Sequence, residues 1–204
     1  MKRIAIIGSP GAGKSTFAQQ LGDILKIKVI HLDRKFWRPG WKEKPRENRV
    51  AIQQHLVQRD QWIIEGTYLS SSDSRLNAAD TIIFLDIPRL VCLWRVIRRR
   101  VGYKRQPRPD LPEGCPERLS FFYILKVLVF PHRGRKLLLD KIKYIYADGV
   151  KDVKQTKTIL TFQSSKEVTR FLLEQKQKQH TTEKKHPAKE GFVGARKILV
   201  LAEQ

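Results

Sequence analysis

Short apolar runs alternate with amphipathic stretches along the first 174 residues of the chain. In each stretch that follows a run, apolar residues recur every three or four positions, as they do on one face of a helix. This alternation predicts strands that are buried on both faces and helices that cover them. The predicted strands are Ile4–Ile7, Ile27–Ile30, Trp62–Ile64, Thr81–Leu85 and Lys157–Phe162.

Six helices are predicted between and after these strands, and three of them begin at proline or serine. Helices that connect successive strands place those strands in parallel, with helices on both faces of the sheet. We therefore predict a three-layer α/β fold with a five-stranded parallel sheet in the order 2-3-1-4-5. The predicted helices are Lys14–Leu25, Pro45–Asp60, Pro88–Val101, Leu119–Phe130, Arg135–Tyr146 and Ser165–Leu173, the last capped by Ser164 or Ser165.

Two segments break the alternation. Residues 102–116 hold four of the ten prolines and two glycines, which predicts a loop, and we interpret residues 102–118 as a lid. From residue 175 onward Lys, Gln, Thr, His and Glu dominate, which favours a basic, disordered tail over residues 175–204, although Ile198–Leu201 is apolar enough to dock. The predicted domain therefore spans residues 1–174.

The charge balance is strongly basic, with 41 Lys and Arg against 20 Asp and Glu, or +21 at pH 7. This excess attracts polyanions, including nucleotides and DNA, without choosing among them. The two cysteines, Cys92 and Cys115, are too few for a disulfide framework, so a cytoplasmic setting is expected. The longest apolar stretch, Phe121–Phe130, is about half of what a bilayer requires, so no membrane partner is expected. Nothing in the sequence indicates an oligomeric state.

A phosphate-binding loop follows the first predicted strand and opens the first predicted helix. Its eight residues match the pattern G-x-x-x-x-G-K-[ST], in which glycines let backbone N–H groups point at phosphate oxygens and the helix N-terminus adds positive potential. We expect Lys14 to reach the β- and γ-phosphates of ATP, the Ser15 hydroxyl to ligate Mg²⁺, and Thr16 to lie at the α-phosphate. The full predicted nucleotide site is Gly8, Ser9, Pro10, Gly11, Ala12, Gly13, Lys14, Ser15 and Thr16.

Carboxylates end three of the predicted strands, at the sheet edge that carries the phosphate loop. Asp33 is a candidate to orient or deprotonate an acceptor hydroxyl, with a turn or helix cap as the alternative. Glu65 is a candidate partner for metal-bound water or for the nucleophile, with a structural contact to Lys14 or Ser15 as the alternative. Asp86 precedes Pro88 and is better explained as a helix-entry cap.

Basic residues cluster on both sides of the predicted lid. Residues 89–108 contain eight Lys and Arg and no Asp or Glu. Arg95 and Arg99 are four residues apart and therefore share a helix face. Arg133 and Arg135 follow the lid. Such arginines suit a lid that closes over a transferring phosphoryl group, and a solvated basic helix face is the alternative.

The chain resembles the adenylate-kinase-like proteins over roughly residues 1–174, and this resemblance implies the phosphate-loop (P-loop) NTPase fold. The resemblance is carried by GSPGAGKS (8–15), HLD (31–33), WIIEGTY (62–68), ADTIIFLDIPR (79–89), RVIRRR (95–100) and RPDLPEGCPE (108–117). It is most similar to the bacterial group labelled DNA topology modulation proteins, for which RPDLPEGCPE is the more specific segment.

The resemblance implies roles for several arginines. Arg95 resembles the arginine that stacks on the ATP base, Arg99 the one that reaches the phosphates, and Arg133 and Arg135 the arginines after the lid. The family's monophosphate-reading arginine has no counterpart after Glu65, and Arg75 is only a loose substitute. The acceptor region instead contains Phe36, Trp37, Pro39 and Trp41.

These observations predict an ATP-dependent, Mg²⁺-assisted kinase that phosphorylates a small acceptor, either a nucleotide or a hydroxylated metabolite. The predicted catalytic residues are Lys14, Asp33, Glu65, Arg99, Arg133 and Arg135, with Arg95 at the nucleotide and Ser15 at the metal. An alternative is a DNA-associated regulator that uses a nucleoside triphosphate as a switch, which the basic charge favours. No helix-turn-helix, zinc-finger or RNA-binding signature supports the alternative.

Overall fold

The computed structural model describes residues 1–102, 111, 114–115, 120–131, 133–149, 157–184 and 196–197. Most of the predicted lid and much of the predicted tail lie outside these residues. In chain order the elements are β1 (Arg3–Gly8), α1 (Lys14–Leu25), β2 (Val29–His31), α2 (Leu32–Phe36), β3 (Trp37–Arg38), β4 (Lys42–Glu43), α3 (Arg46–Leu56), β5 (Trp62–Glu65), a 3-10 turn (Leu69–Ser71), α4 (Asp73–Ala78), β6 (Thr81–Leu85), α5 (Arg89–Gly102), α6 (Phe121–Val129), α7 (Arg133–Gly149), β7 (Thr158–Phe162), α8 (Ser165–Lys184) and β8 (Arg196–Lys197).

The main sheet has parallel strands in the order β2-β5-β1-β6-β7, which confirms the predicted order 2-3-1-4-5. The central strand β1 pairs with β5 on one side and with β6 on the other, so that Ile6 lies between Glu65 and Ile83. The short strand β8 adds to β7 in the antiparallel direction. Because β1, β2 and β5 run in parallel, the residues that follow them meet at one edge of the sheet.

Successive residues of β1 point to opposite faces of the sheet and enter two separate apolar layers. Ile4 and Ile6 pack in the layer that also contains Phe17 of α1, Val96 of α5 and Phe171 of α8. Ala5 and Ile7 pack in the other layer, with residues from α4 and α7 that include Leu76, Leu138 and Ile142. Helices therefore cover the sheet on both faces, as the continuous apolar runs predict.

Several short elements were not predicted from the periodicity. Helix α2, the hairpin β3–β4, the 3-10 turn and helix α4 each span two to six residues, too few for a helical period to be recognised. The hairpin packs next to the part of the predicted lid that is described, because Gly40 donates its backbone N–H to the Gly114 carbonyl at 2.9 Å. The Cys115 thiol donates to the Arg38 carbonyl at 3.1 Å.

Helix α8 is longer than predicted. It begins where expected, and the N-cap is Ser164, whose hydroxyl accepts the backbone N–H of Glu167 at 3.2 Å. It ends at Lys184 instead of Leu173, so residues 175–184 are helical, in contrast to the disorder predicted for them. Gln175 is buried, one turn after the buried Phe171, and α8 packs against α1. Tertiary contact thus extends a helix whose composition is polar.

Among the described residues, no helix combines the length and the apolar character that crossing a bilayer would require. The apolar stretch around Phe121 forms the nine-residue helix α6.

Two truncations test the structural role of the end of α8. A chain that ends at Lys184 should melt within about 2 °C of the full chain, because only the two-residue edge strand β8 is lost from the described fold. A chain that ends at Glu174 should melt several degrees lower, because it loses Gln175 and the last turns of α8. Equal melting temperatures for the two truncations would contradict this account of the helix.

Candidate active site

The phosphate loop connects β1 to α1 through two residues in the left-handed region, Gly11 (φ +81°) and Gly13 (φ +91°). A Cβ atom at Gly11 would lie 2.4 Å from the Cys92 carbonyl oxygen, so α5 leaves space only for glycine there. The loop ends at the N-terminus of α1, where backbone N–H groups have no partner within the helix. Thr16, the predicted α-phosphate contact, is exposed in the first turn. The arrangement is suited to binding phosphate oxygens.

Lys14 carries the central charge of the site. Its ammonium donates a hydrogen bond to the carbonyl oxygen of Ser9, on the other side of the loop, at 3.0 Å. Burial lowers the pKa of Lys14, while the negative charges of Glu65 and Asp33 raise it. The loop therefore holds an ammonium group inside the curve of its own backbone, where two carboxylates from separate strand ends interact with its charge.

Glu65 lies beside Ser15, a contact that fits both the metal-side interpretation and the structural alternative. The Ser15 hydroxyl donates to Glu65 Oε1 at 3.2 Å, and His31 Nδ1 is 2.9 Å from the same oxygen. Glu65 is only 3% exposed, because β5 ends between β1 and β2. Hydroxyl and carboxylate oxygens are the ligands that Mg²⁺ prefers, so the chemistry of this pair fits a Mg²⁺ ion that also binds nucleotide phosphates.

Asp33 belongs to a chain of three side chains that link the sheet edge to the hairpin. The Tyr68 hydroxyl donates to Asp33 Oδ1 at 2.5 Å, and the Trp37 indole Nε1–H donates to the Tyr68 oxygen at 2.7 Å. Burial and the neighbouring Asp33 carboxylate raise the pKa of Tyr68. One oxygen of Asp33 is thereby fixed by a phenol that remains protonated at neutral pH. Tyr68 was not predicted to be a site residue. Its position two residues after Gly66, just beyond the end of β5, could have indicated that it lies at the same sheet edge as Glu65.

Arg95 and Arg99 both face inward from α5. Arg95 donates to the Ala12 carbonyl of the phosphate loop at 3.2 Å and to the Ser165 hydroxyl at 2.6 Å. Arg99 donates to the Tyr123 hydroxyl at 3.2 Å, and its positive charge acts to lower the pKa of Lys14. Their neighbour Arg98 lies on the outer face of the helix, with its guanidinium 5.1 Å from the centre of the Trp94 ring.

The two arginines after the lid differ in their surroundings. Arg133 is exposed at the start of α7. Arg135 forms an ion pair with Asp86, with Nε and Oδ2 3.0 Å apart. Asp86 therefore has a partner from α7 in addition to its place before α5, a contact that the interpretation as a helix cap did not include.

Arg75, the loose substitute for the phosphate-reading arginine, is fully buried and contacts the loop that follows β5. Its Nη2 donates to the Thr67 carbonyl at 3.1 Å, and its Nε and Nη1 have no hydrogen-bond partner among the described residues. Burial lowers the pKa of Arg75 to about 10, although Glu65 and Tyr68 oppose that shift. The Thr67 hydroxyl in turn donates to the Gly8 carbonyl at 2.5 Å, so Arg75 supports the phosphate loop indirectly.

No protein-family model matches the chain. A segment of 100 residues, 48% of this chain, is 28% identical to the uncharacterized protein YqaC of Bacillus subtilis (strain 168). The match spans 56% of the length of that relative.

Similarity to solved structures extends over most of the chain. A shikimate kinase from Acinetobacter baumannii, solved with shikimate, matches 92% of this chain and 96% of its own with a TM-score of 0.52 and 18% identity. A deoxyadenosine kinase from M. mycoides matches 88% of this chain and 98% of its own with a TM-score of 0.42 and 14% identity. The first similarity shows that this chain has the fold of a P-loop kinase.

Replacement of Lys14 by alanine tests the loop as a phosphate site. Lys14→Ala should lower ATP turnover by about 100-fold or more, because it removes a charge directed at the transferring phosphoryl group. Lys28→Ala, an exposed lysine beyond the far end of α1, serves as the matched control and should retain turnover. Melting temperatures close to that of the parent chain would show that both variants fold. Undiminished turnover in a folded Lys14→Ala protein would contradict the assignment.

Proposed function

We propose that this protein is a kinase that transfers the γ-phosphoryl group of ATP to a hydroxyl group of a small acceptor. The observation that carries the proposal is that the Lys14 ammonium is bonded inside a loop shaped for phosphates and interacts electrostatically with the carboxylates of Glu65 and Asp33. Phosphoryl transfer requires the donor phosphate and the acceptor hydroxyl to be held next to each other, and a site with a phosphate loop beside carboxylates can hold both.

The nucleotide half of the proposed site consists of the loop and α1. Backbone N–H groups at the start of α1 and the Lys14 ammonium bind the phosphates of ATP, and Lys14 exchanges its bond to the Ser9 carbonyl for one to phosphate. Ser15 and Glu65 would hold the Mg²⁺ ion, with the Ser15 hydroxyl as a ligand and Glu65 as a partner for metal-bound water. When bound, Mg²⁺ neutralises phosphate charge and orients the oxygens that it contacts.

The acceptor half of the proposed site is arranged around Asp33. Tyr68 donates to Oδ1 of this carboxylate, and we assign the carboxylate to orient the acceptor hydroxyl and take its proton. The Tyr68 hydrogen bond fixes the carboxylate so that little reorientation accompanies the proton transfer. Asp33 thus acts on the acceptor, and Glu65 acts on the metal side.

Arginines complete the proposed site from the side of α5 and α7. Arg95 and Arg99 already contact the phosphate loop and the region near Lys14, so they are placed to neutralise charge as the phosphoryl group moves. Arg133 and Arg135 follow the predicted lid in the sequence, and we assign them the same role of neutralising charge on the phosphoryl group. Positive charge directed at a transferring phosphoryl group is the main source of catalysis in this class of reaction.

The rival function is a DNA-associated regulator that uses a nucleoside triphosphate as a switch. The resemblance to the DNA topology modulation group favours this rival. The net charge of +21 is the observation in its favour. Against it, the inward orientation of Arg95 and Arg99 uses part of the basic run for contacts within the site.

A screen for ADP release tests the proposed function. Nucleoside monophosphates and small hydroxylated metabolites are incubated one at a time with ATP, Mg²⁺ and the full chain. We expect at least one acceptor to stimulate ADP release well above the rate without acceptor. If none of them does so, and ATP binding is normal, the transfer of phosphoryl to a small acceptor is contradicted.

The role of Glu65 predicts a change in the metal requirement. Glu65→Gln should raise the Mg²⁺ concentration that gives half-maximal ATP turnover, by about tenfold, because a neutral amide attracts the hydrated cation less strongly. Glu43→Gln, which alters an exposed acid on the hairpin, is the control and should leave the Mg²⁺ requirement unchanged. An unaltered requirement in Glu65→Gln would remove Glu65 from the metal side.

The two faces of α5 distinguish a kinase from a DNA-binding protein. Arg95→Ala and Arg99→Ala should weaken ATP binding or turnover at least tenfold, whereas Arg98→Ala on the outer face should not. For a helix that binds DNA, the exposed Arg98 should matter most, and each arginine removed should reduce the slope of log affinity against log salt by about one. DNA affinity is measured near 0.15 M salt, because the Debye length of about 8 Å at that salt weakens non-specific attraction. Sub-micromolar DNA binding that is lost in Arg98→Ala, with ATP handling intact, would favour the rival.

A further inference from the structure

Two aromatic residues near Asp33 adopt backbone conformations that bulky side chains avoid. Among the described residues, only Lys26, Trp41 and Tyr68 combine a side chain with a positive φ, at 57°, 61° and 27°. Lys26 ends helix α1, where a left-handed residue is common. Trp41 and Tyr68 have no such explanation, and strained residues of this kind cluster at functional sites.

Trp41 occupies a turn position at which glycine or asparagine would be expected. It follows Gly40, whose φ is +77°, and together with Pro39 these residues form the three-residue loop between β3 and β4. Consecutive left-handed residues in a hairpin turn are favoured by asparagine and glycine, because a larger side chain strains the backbone. Trp41 therefore occupies a turn position that a smaller residue would occupy with less backbone strain.

The Trp41 side chain extends the hydrogen-bonded chain that begins at Asp33. Its ring lies 5.3 Å from the ring of Trp37, at 72°, and Trp37 is two hydrogen bonds from the Asp33 carboxylate. Both indoles are half-buried, so part of each ring faces solvent. Beneath them, Tyr68 packs edge-on against Phe36, with ring centres 4.7 Å apart. A fixed aromatic surface therefore lies next to the group that we assign to the acceptor hydroxyl.

We propose that Trp37 and Trp41 form a platform that binds a flat heteroaromatic ring of the acceptor. The acceptor class is then a planar heterocycle that carries a hydroxyl group, either directly or through a sugar as in a nucleoside. Aromatic side chains bind such rings through their faces and edges, whereas a saturated polyol gains little from them. This inference rests on the proposed function, since Asp33 is its second anchor.

Tryptophan fluorescence tests the platform without requiring turnover. The full chain carries Trp94→Phe, which removes the exposed indole on α5 and leaves the buried Trp62 as background. The ring-bearing probes are adenosine, cytidine and pyridoxine, which separate nucleosides from free-ring alcohols. The probes without an aromatic ring are shikimate and glycerol. We expect at least one ring-bearing probe to quench the fluorescence in a saturable manner, and the probes without an aromatic ring to have no effect.

A stability comparison separates a binding role for Trp41 from a structural one. Trp41→Gly should weaken binding of the ring-bearing probe at least tenfold, measured by calorimetry, while the melting temperature is maintained because the turn strain is relieved. Trp41→Asn is a second variant suited to the turn and should show the same loss of binding and the same melting temperature as Trp41→Gly. Trp41→Phe should retain most of the binding. Lys26→Gly is the matched control: it relieves a left-handed residue outside the site and should leave binding unchanged.

The outcomes distinguish this inference from the proposed function. Unchanged binding in folded Trp41→Gly or Trp41→Asn would overturn the platform. Phosphorylation of a saturated acceptor, unaffected by either variant, would overturn the platform and leave the kinase function intact. Ring binding that depends on Trp41, with no phosphoryl transfer to any bound probe, would support the platform and count against the kinase function.

Discussion

The positive charge of Lys14, held at the carboxyl edge of a parallel sheet, is the constraint on which the rest of the site depends. Burial disfavours an ammonium group, and the carboxylates of Glu65 and Asp33 offset that effect. The sheet order makes the offset possible, because β1 lies next to β5 and β5 lies next to β2. A different strand order would separate the charge from one or both acids.

A second row of contacts holds this arrangement in place. Thr67 donates to the carbonyl of Gly8, and Arg75 donates to the carbonyl of Thr67 from below. His31 and Ser15 fix Glu65 from two sides. The phosphate loop and Glu65 are therefore both held by partners from other segments of the chain, which is what catalysis by fixed charges requires.

The features that were predictable from the sequence are those determined over a few consecutive residues. Apolar runs mark β1 and β6, and the glycine-rich pattern marks the phosphate loop, because each depends on local chemistry alone. Tyr68 and Arg75 could not be assigned in this way: their roles come from contacts with residues far along the chain. The end of α8 was misjudged for the same reason, since a polar helix persists there by packing one face against α1.

The central claim is that the γ-phosphoryl group of ATP leaves for a small molecule. The most direct measurement incubates the full chain with ATP labelled at the γ-phosphate, Mg²⁺ and a pool of small metabolites, and then separates the labelled products by mass. We expect the label to appear in a phosphorylated small molecule and one ADP to form for each labelled molecule. Label found only in inorganic phosphate, or attached to the protein, would contradict it.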